Sequence, residues 1–137
     1  KAAALMGKAS GYLGMIGGQV VDLEGEERKL TLSELKEMHS MKTGALIKAA
    51  AQMGCVLSGA DEDELSDYAE NLGLAFQLKD DILDETATVE ELGKNIGSDK
   101  KNDKSTFISL CGMEKTETML AEATKEAVER IIEQFAK

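Results

Sequence analysis

Four side chains near the middle of the sequence have the spacing that metal and phosphate chemistry needs. These are Gln77, Asp80, Asp81 and Asp84. On an α-helix, with about 100° between successive residues, they fall in one stripe about 100° wide. Three carboxylates within about one turn suit a hard divalent cation, above all Mg²⁺, which completes its coordination with water and phosphate oxygens. The stripe is therefore a candidate metal site.

The same stripe has a simpler interpretation, because charged residues on a helix often form its solvated face. Like charges at helical spacing cost only about 0.2–0.5 kcal/mol per pair, so repulsion alone does not require a metal ion. Apolar residues occupy two other faces of this segment: Leu74, Leu78 and Ile82 next to the stripe, and Leu72, Phe76 and Leu83 opposite. A helix that is apolar on two faces is expected to be buried, with its acids turned toward a polar cavity.

A second candidate site lies earlier in the chain. Lys42 and Thr43 place an ammonium group beside a hydroxyl, directly before Gly44, and such a pair can hold a phosphate. A solvated lysine is the alternative. His39, the single histidine, has no Ser, Cys or carboxylate partner at a known spacing, so the sequence indicates a structural role and no catalytic triad.

Two further polar groups deserve the same comparison. Gln19 and Asp22 lie three residues apart on one helix face, and by themselves they form an ordinary polar edge. Beyond Glu85 a polar stretch of about twenty residues carries lysines, including Lys94 and Lys104. Long structureless loops in compact domains are often functional. The stretch is either a diphosphate-binding loop beside the carboxylates or a solvated surface loop.

Helices are the elements that must position these residues. The chain has no proline and is rich in helix formers, which indicates an all-α protein. Thr31 and Glu34 form a capping-box pattern, and Gly59 is typical of a helix end. About five helices are predicted: Ala2 to Leu23, Thr31 or Ser33 to Ser58, Glu62 to Glu85, Ser105 to Leu110, and Glu114 to Ala136. Glycines crowd the first helix, where close helix packing is expected at Gly7, Gly11 and Gly14.

Composition narrows the functional classes. The formal net charge of −10 argues against nucleic acid or an anionic membrane surface as a partner. No apolar run reaches the roughly 18 residues of a membrane span, and no signal peptide is visible. Cys55 and Cys111 lie in apolar surroundings, and we expect buried free thiols and a cytoplasmic location.

The two ends of the sequence indicate a fragment. Lys1 begins a helical pattern without an initiator methionine or an N-cap residue, and an apolar stripe still runs at Phe135. We expect these 137 residues to be a piece of a longer chain.

Five motifs, taken in order, resemble those of the trans-type (head-to-tail) polyprenyl diphosphate synthases. Each motif alone is weak, but together they cover nearly the whole chain at matching separations. The likeness is greatest to bacterial synthases of the farnesyl or geranylgeranyl type. The motifs are Gly-Gly-Gln-x-x-Asp (17–22), Lys-Thr-Gly-Ala-Leu (42–46), Phe-Gln-x-x-Asp-Asp-x-x-Asp (76–84), Gly-Lys (93–94) and Asp-Lys-Ser-Thr-Phe (103–107).

The resemblance implies an isoprenoid synthase fold, a helical bundle around a central cavity. It further implies a Mg²⁺-dependent prenyltransferase that joins isopentenyl diphosphate to an allylic diphosphate through a carbocation. Catalysis would then consist of electrostatic stabilisation of departing diphosphate, without a nucleophilic side chain.

The resemblance also assigns roles to single residues. Asp80, Asp81 and Asp84 match the second aspartate-rich motif, with Asp80 as the expected direct Mg²⁺ ligand. Lys42, Lys94 and Lys104 match lysines near the allylic diphosphate. The polar residues that match positions lining the reacting centre or the cavity are Thr43, Gln77, Gln19 and Asp22.

What does not match is equally informative. The first aspartate-rich motif and the residues that bind isopentenyl diphosphate have no counterpart here. Residues 1–137 are therefore expected to be the C-terminal portion of one synthase domain, inactive alone and homodimeric in the full-length form. The alternative is a non-catalytic regulatory or interaction subunit of a prenyltransferase, although such subunits tend to lose these motifs.

Overall fold

The computed structural model describes residues 1–86 and 104–136, and these residues contain helices and no strand. The all-α prediction is confirmed, and residues 1–86 and 104–136 contain seven α-helices where about five were expected for the whole chain. They are α1 (Ala2–Ser10), α2 (Met15–Glu24), α3 (Leu32–His39), α4 (Ala45–Ser58), α5 (Ser66–Thr86), α6 (Phe107–Cys111) and α7 (Met113–Phe135). A π-helical segment, Ser40–Gly44, joins α3 to α4.

The first predicted helix is in fact two, because glycines break it between α1 and α2. Gly11 has an extended backbone, and a Cβ on Gly14 would lie 1.9 Å from the carbonyl oxygen of Ala9. Gly14 thus permits a tight turn between α1 and α2 and does not serve helix–helix packing. Within the described residues, nothing lies within 4 Å of a Cβ placed on Gly7. The expectation of close packing at Gly7 and Gly14 was wrong.

The sequence correctly predicted two helix ends, the start of α3 and the end of α4. The Thr31 side chain accepts a hydrogen bond from the Glu34 amide at 3.2 Å, and the Glu34 carboxylate accepts one from the Thr31 amide at 2.8 Å. Gly59 ends α4 with φ of 83°, the left-handed conformation that glycine adopts at low cost. Both predictions are confirmed. Helix α5 begins at Ser66, later than predicted, because residues 62–65 form turns. The Ser66 hydroxyl donates a hydrogen bond to the Asp63 carboxylate across these turns.

The hydrophobic core lies where α3, α5, α6 and α7 meet. Helix α5 packs along α7, and α1 packs on α4. Residues buried in this cluster are Leu30, Leu35, Met38, Leu78, Phe107 and Ala123. Phe107, Leu35 and Leu78 are completely buried, and each such side chain stabilises the fold by roughly 1.5–3 kcal/mol.

One expectation about α5 was wrong. Its residues Leu72 and Phe76 were expected to be buried, but they are 40% and 58% exposed. They line an open groove of about 460 Å³ between α5 and α7, with Leu120 on the opposite wall. The apolar face of α5 is therefore covered on one side only within the described part of the chain.

Two remaining expectations concern the thiols and the membrane. Both cysteines are free, and Cys55 is buried while Cys111 is half-buried. Among the described helices, none combines the length and the hydropathy needed to cross a bilayer.

The π-helical segment is where α2 and α5 both approach. A Cβ placed on Gly18 of α2 would lie 2.3 Å from the backbone nitrogen of Lys42. A Cβ on Gly73 of α5 would lie 3.4 Å from Cα of Gly44, an ordinary contact. Backbone therefore meets backbone at Gly18, which leaves no room for a side chain.

We predict that Gly18→Ala lowers the free energy of unfolding by roughly 1–3 kcal/mol, because the new methyl group collides with the Lys42 backbone. Gly7→Ala is the matched control. Its position is open, so the better helix propensity of alanine should stabilise α1 by up to about 1 kcal/mol. Urea unfolding followed by circular dichroism measures both variants. Equal unfolding midpoints for the two would contradict the close contact.

Candidate functional site

The candidate site begins with an ion pair between α2 and the π-helical segment. Gly18 and Asp22 lie one turn apart on α2 and therefore share a face. Contact of Gly18 with the Lys42 backbone brings that face against the segment, and the Lys42 ammonium donates to Asp22 Oδ2 at 2.6 Å. The Asp22 side chain is 13% exposed and that of Lys42 is 34% exposed. The carboxylate lies deeper than the ammonium that it binds.

A second lysine reaches the same carboxylate from far along the chain. Lys104 Nζ lies 3.6 Å from Asp22 Oδ2 and 3.5 Å from Glu26 Oε1. The neighbouring Ser105 hydroxyl accepts a hydrogen bond from the Leu30 amide at 3.0 Å, which attaches this part of the chain to the loop after α2. Two ammonium groups that the sequence separates widely are thus brought to one aspartate.

The charges in this cluster shift each other's ionisation. Burial alone would raise the pKa of Asp22, but the hydrogen bond and charge of Lys42, with the charge of Lys104, hold that pKa below its ordinary value. Burial likewise opposes protonation of Lys104, yet the nearby negative charges of Asp22 and Glu26 raise the pKa of Lys104. The lowered pKa of Asp22 and the raised pKa of Lys104 keep both groups charged at neutral pH.

The acidic stripe of α5 is divided between interior and surface. Asp81 is buried, and its Oδ2 accepts a hydrogen bond of 2.8 Å from the Phe107 amide at the start of α6. Asp84 is buried as well, whereas Asp80 is exposed and borders the groove between α5 and α7. Asp80 is therefore the member of the stripe that a ligand reaches most directly.

His39 is affected by charges of both the lysine cluster and the acidic stripe. Its ring stacks on Phe107 with 5.6 Å between centroids. Burial, together with the charge of Lys42, lowers the pKa of His39 to about 4, although the charges of Asp22 and Asp80 oppose this shift. His39 thus lies within electrostatic reach of both groups of charges. A neutral, packed ring fits the structural role that the sequence indicated.

The remaining predicted site residues differ in their surroundings. Thr43 belongs to the π-helical segment and is half-buried, and Gln19 is exposed on α2. Gln77 is buried one turn after Gly73, on the side of α5 that approaches the segment. Lys94 lies outside the described residues.

Two features of the site had no usable signal in the sequence. Glu26, the second carboxylate near Lys104, looked like part of an ordinary charged loop. The π-helical turn at Ser40–Gly44 also went unpredicted, although such turns frequently occur at functional sites. One sequence pattern could have suggested the contact between α2 and Lys42. Two adjacent glycines, Gly17 and Gly18, precede Asp22, and a lysine-bearing helix follows them in the sequence.

Whether these residues fit a metal ion depends on how many ligands the chain must supply. Within the described ranges, no three His, Cys, Asp or Glu side chains converge as a metal site would require. Magnesium in phosphate sites, however, takes one or two carboxylates and fills its other positions with water and phosphate oxygens. Exposed Asp80 fits that partial role, and buried Asp81 already serves the Phe107 amide.

The fold and the site together define an all-helical protein that presents lysines beside an aspartate-rich helix. The family model for polyprenyl synthetase matches residues 3–136, and the chain belongs to this family. The membership that the five motifs suggested is confirmed.

Individual relatives agree. The chain is 42% identical over 130 residues to a farnesyl diphosphate synthase of Micrococcus luteus, covering 93% of this chain and 45% of that protein. It is 44% identical over 122 residues to a geranylgeranyl diphosphate synthase of Cyanophora paradoxa, covering 84% and 41%. The chain therefore spans less than half the length of these relatives.

A solved structure gives the same result for the fold. A geranyltransferase from Helicobacter pylori, complexed with magnesium and isoprenyl diphosphate, superimposes with a TM-score of 0.83 and 32% identity. The superposition covers 94% of this chain and 43% of that one. The expectation of a partial isoprenoid synthase fold is confirmed.

The single histidine makes one property of the site directly measurable. We expect its pKa, followed by proton NMR of the ring, to lie near 4 and not near the ordinary value of 6.5. Between these values the unfolded chain binds a proton that the folded chain does not. The free energy of unfolding should therefore fall by about 3 kcal/mol as pH drops from 6.5 toward 4.

His39→Gln is the control, because glutamine binds no proton in either state and should remove most of the pH dependence in that window. A histidine titrating near 6.5 in the folded protein would show that the ring is solvated and not packed on Phe107.

Proposed function

We propose that this chain carries part of the active site of a Mg²⁺-dependent prenyltransferase. The reaction joins isopentenyl diphosphate to an allylic diphosphate in isoprenoid biosynthesis, as in the farnesyl and geranylgeranyl diphosphate synthases that it resembles. One observation carries the proposal: Lys42 and Lys104 both place their ammonium groups within 3.6 Å of one Asp22 oxygen, and Lys42 belongs to the π-helical segment that contacts the aspartate-rich helix α5. Paired ammonium groups are suited to a diphosphate.

The chemistry follows from where charge develops. When the allylic carbon–oxygen bond breaks, negative charge accumulates on the departing diphosphate and positive charge on the allyl group. Ammonium groups held beforehand near the leaving oxygens stabilise that charge without reorganising. The contacts of Asp22 with Lys42 and Lys104 hold both ammonium groups in position for this task. Lys94 matches a third lysine of the family motifs. No side chain attacks the substrate.

Magnesium, when bound, would neutralise further charge on the diphosphate. Asp80 would be its direct protein ligand, and Asp81 and Asp84 complete the aspartate-rich motif. The hydrogen bond between Asp81 and the Phe107 amide holds the carboxylates in place by attaching α5 to α6. Thr43, Gln77 and Gln19 would line the reacting centre or the cavity around it.

The protein is proposed to act in the cytoplasm and, at full length, as a homodimer. Several large apolar side chains on α2 and on the segment before it are exposed, which fits an interface: Tyr12, Leu13, Ile16, Val20 and Leu23. The same surface keeps the alternative of a regulatory subunit open. Retention of Lys42, Thr43 and the three aspartates favours the enzyme.

Pyrophosphate with Mg²⁺ tests the half-site directly. At roughly ten times its dissociation constant the ligand should stabilise the fold by about 1.4 kcal/mol and raise the melting midpoint by about 3–5 °C. Asp80→Ala should abolish this gain. Asp67→Ala removes an exposed aspartate from the first turn of the same helix and should retain it. Unchanged melting of the unsubstituted chain at millimolar ligand would count against the proposed site.

The isolated chain is expected to lack condensation activity, because residues matching the first aspartate-rich motif and the isopentenyl diphosphate site are absent from it. The assay supplies dimethylallyl diphosphate, isopentenyl diphosphate and Mg²⁺, and product is extracted and quantified. Turnover above the level of a boiled sample would refute this expectation.

A further inference from the structure

Asp22 is the most deeply placed charge of the lysine cluster, and its position conflicts with simple anion binding. A site built only to attract diphosphate would leave both ammonium groups free. Here a carboxylate contacts Lys42 at 2.6 Å and lies 3.6 Å from Lys104, beneath the two lysine side chains. We propose that Asp22 is a positioning residue that competes with diphosphate for Lys42 and Lys104, an inference that rests on the proposed function.

The distances indicate different bonding for the two lysines. The Lys42 ammonium donates a strong charge-assisted hydrogen bond of 2.6 Å to Asp22 Oδ2. Lys104 is 3.6 Å from Asp22 and 3.5 Å from Glu26, beyond the usual hydrogen-bond distance. Lys104 is therefore oriented by two carboxylates without being tightly bonded to either, and it can turn outward at lower cost than Lys42.

Exposure places the ligand on the outer side of the cluster. The side chains of Lys42 and Lys104 are 34% and 28% exposed, whereas that of Asp22 is 13% exposed. An ammonium group has three N–H donors, so each lysine can keep one toward Asp22 while presenting others to an incoming anion. Diphosphate thus meets two ammonium groups whose charge Asp22 already partly neutralises.

This arrangement has two consequences for an enzyme that releases diphosphate in every cycle. Without a ligand, Asp22 holds together two cations that would otherwise repel each other and separate. After the reaction, the same carboxylate is available to take the ammonium groups back, which lowers the affinity for bound diphosphate. Asp22 therefore weakens the binding of diphosphate but keeps the ammonium groups of Lys42 and Lys104 in position before the ligand arrives.

The test compares pyrophosphate affinities of variants in the presence of Mg²⁺, by isothermal titration calorimetry on the full 137-residue chain. Asp22→Asn keeps the size of the side chain and removes its charge. It should bind pyrophosphate about fivefold more tightly, the size expected when a partly exposed ion pair no longer competes. Structural damage alone would weaken binding, so the direction of the change separates the two roles.

Asp67→Asn is the matched control, because it removes one negative charge from an exposed position at the far end of α5. It should leave the affinity unchanged, which excludes a general effect of net charge. Glu26→Gln removes the second, exposed carboxylate near Lys104 and should tighten binding by about twofold.

Equal or weaker binding by Asp22→Asn overturns the inference while the proposed function stands, provided that the unsubstituted chain binds pyrophosphate. If circular dichroism shows that Asp22→Asn does not fold, Glu26→Gln decides: tighter binding supports the competition and unchanged binding overturns it. Absence of binding by the unsubstituted chain defeats the proposed function, and the inference with it.

Discussion

The site depends on one steric constraint, the contact of Gly18 with the backbone of Lys42. A Cβ at Gly18 would come within 2.3 Å of the Lys42 nitrogen, so only a residue without a side chain lets α2 approach the π-helical segment this closely. Because Asp22 follows Gly18 by one turn, that approach places its carboxylate against the Lys42 ammonium. Gly18 lets the two backbones come close, and Asp22 forms its ion pair with Lys42 because of that approach. Spacing of four residues on a helix is what connects the two effects.

A second joint brings the aspartate-rich helix into the same arrangement. Phe107 is completely buried, its ring stacks on His39, and its amide donates to Asp81. One residue thus connects α3, α5 and α6. Position 81 needs a side chain that accepts a hydrogen bond from the Phe107 amide, because an unsatisfied buried N–H costs roughly 1–3 kcal/mol. A motif expected to serve ligand binding therefore also stabilises the fold around the site.

Sequence alone predicted what depends on local physics. The capping box of Thr31 and the left-handed Gly59 act within a few residues, and both are where they were expected. The stripe position of the aspartates follows from helical periodicity, and their motif spacing led to the correct family. The sequence could not reveal which of them is exposed, because burial depends on contacts with distant segments, as the hydrogen bond between Asp81 and the Phe107 amide shows.

Features set by contacts between distant segments escaped prediction. Nothing local distinguishes Ser40–Gly44 from ordinary helix, and its π-helical turn lies where α2 and α5 converge. The break near Gly14 is an exception, because it depends on a local backbone contact with Ala9 that glycine permits but does not demand. Exposure of Leu72 and Phe76 likewise reflects which helices are available to cover them. A periodicity argument assumes that every apolar face has a partner, and here one face borders an open groove.

The central claim is that the lysine cluster and the aspartate-rich helix share one ligand site around His39. Proton NMR of the single histidine ring tests it, with Mn²⁺ replacing Mg²⁺ because both prefer oxygen ligands. We expect that Mn²⁺ with pyrophosphate broadens the His39 ring signals, while Mg²⁺ with pyrophosphate leaves them sharp. Sharp His39 signals in a sample that demonstrably binds Mn²⁺ and pyrophosphate would place the ligand elsewhere and contradict the account.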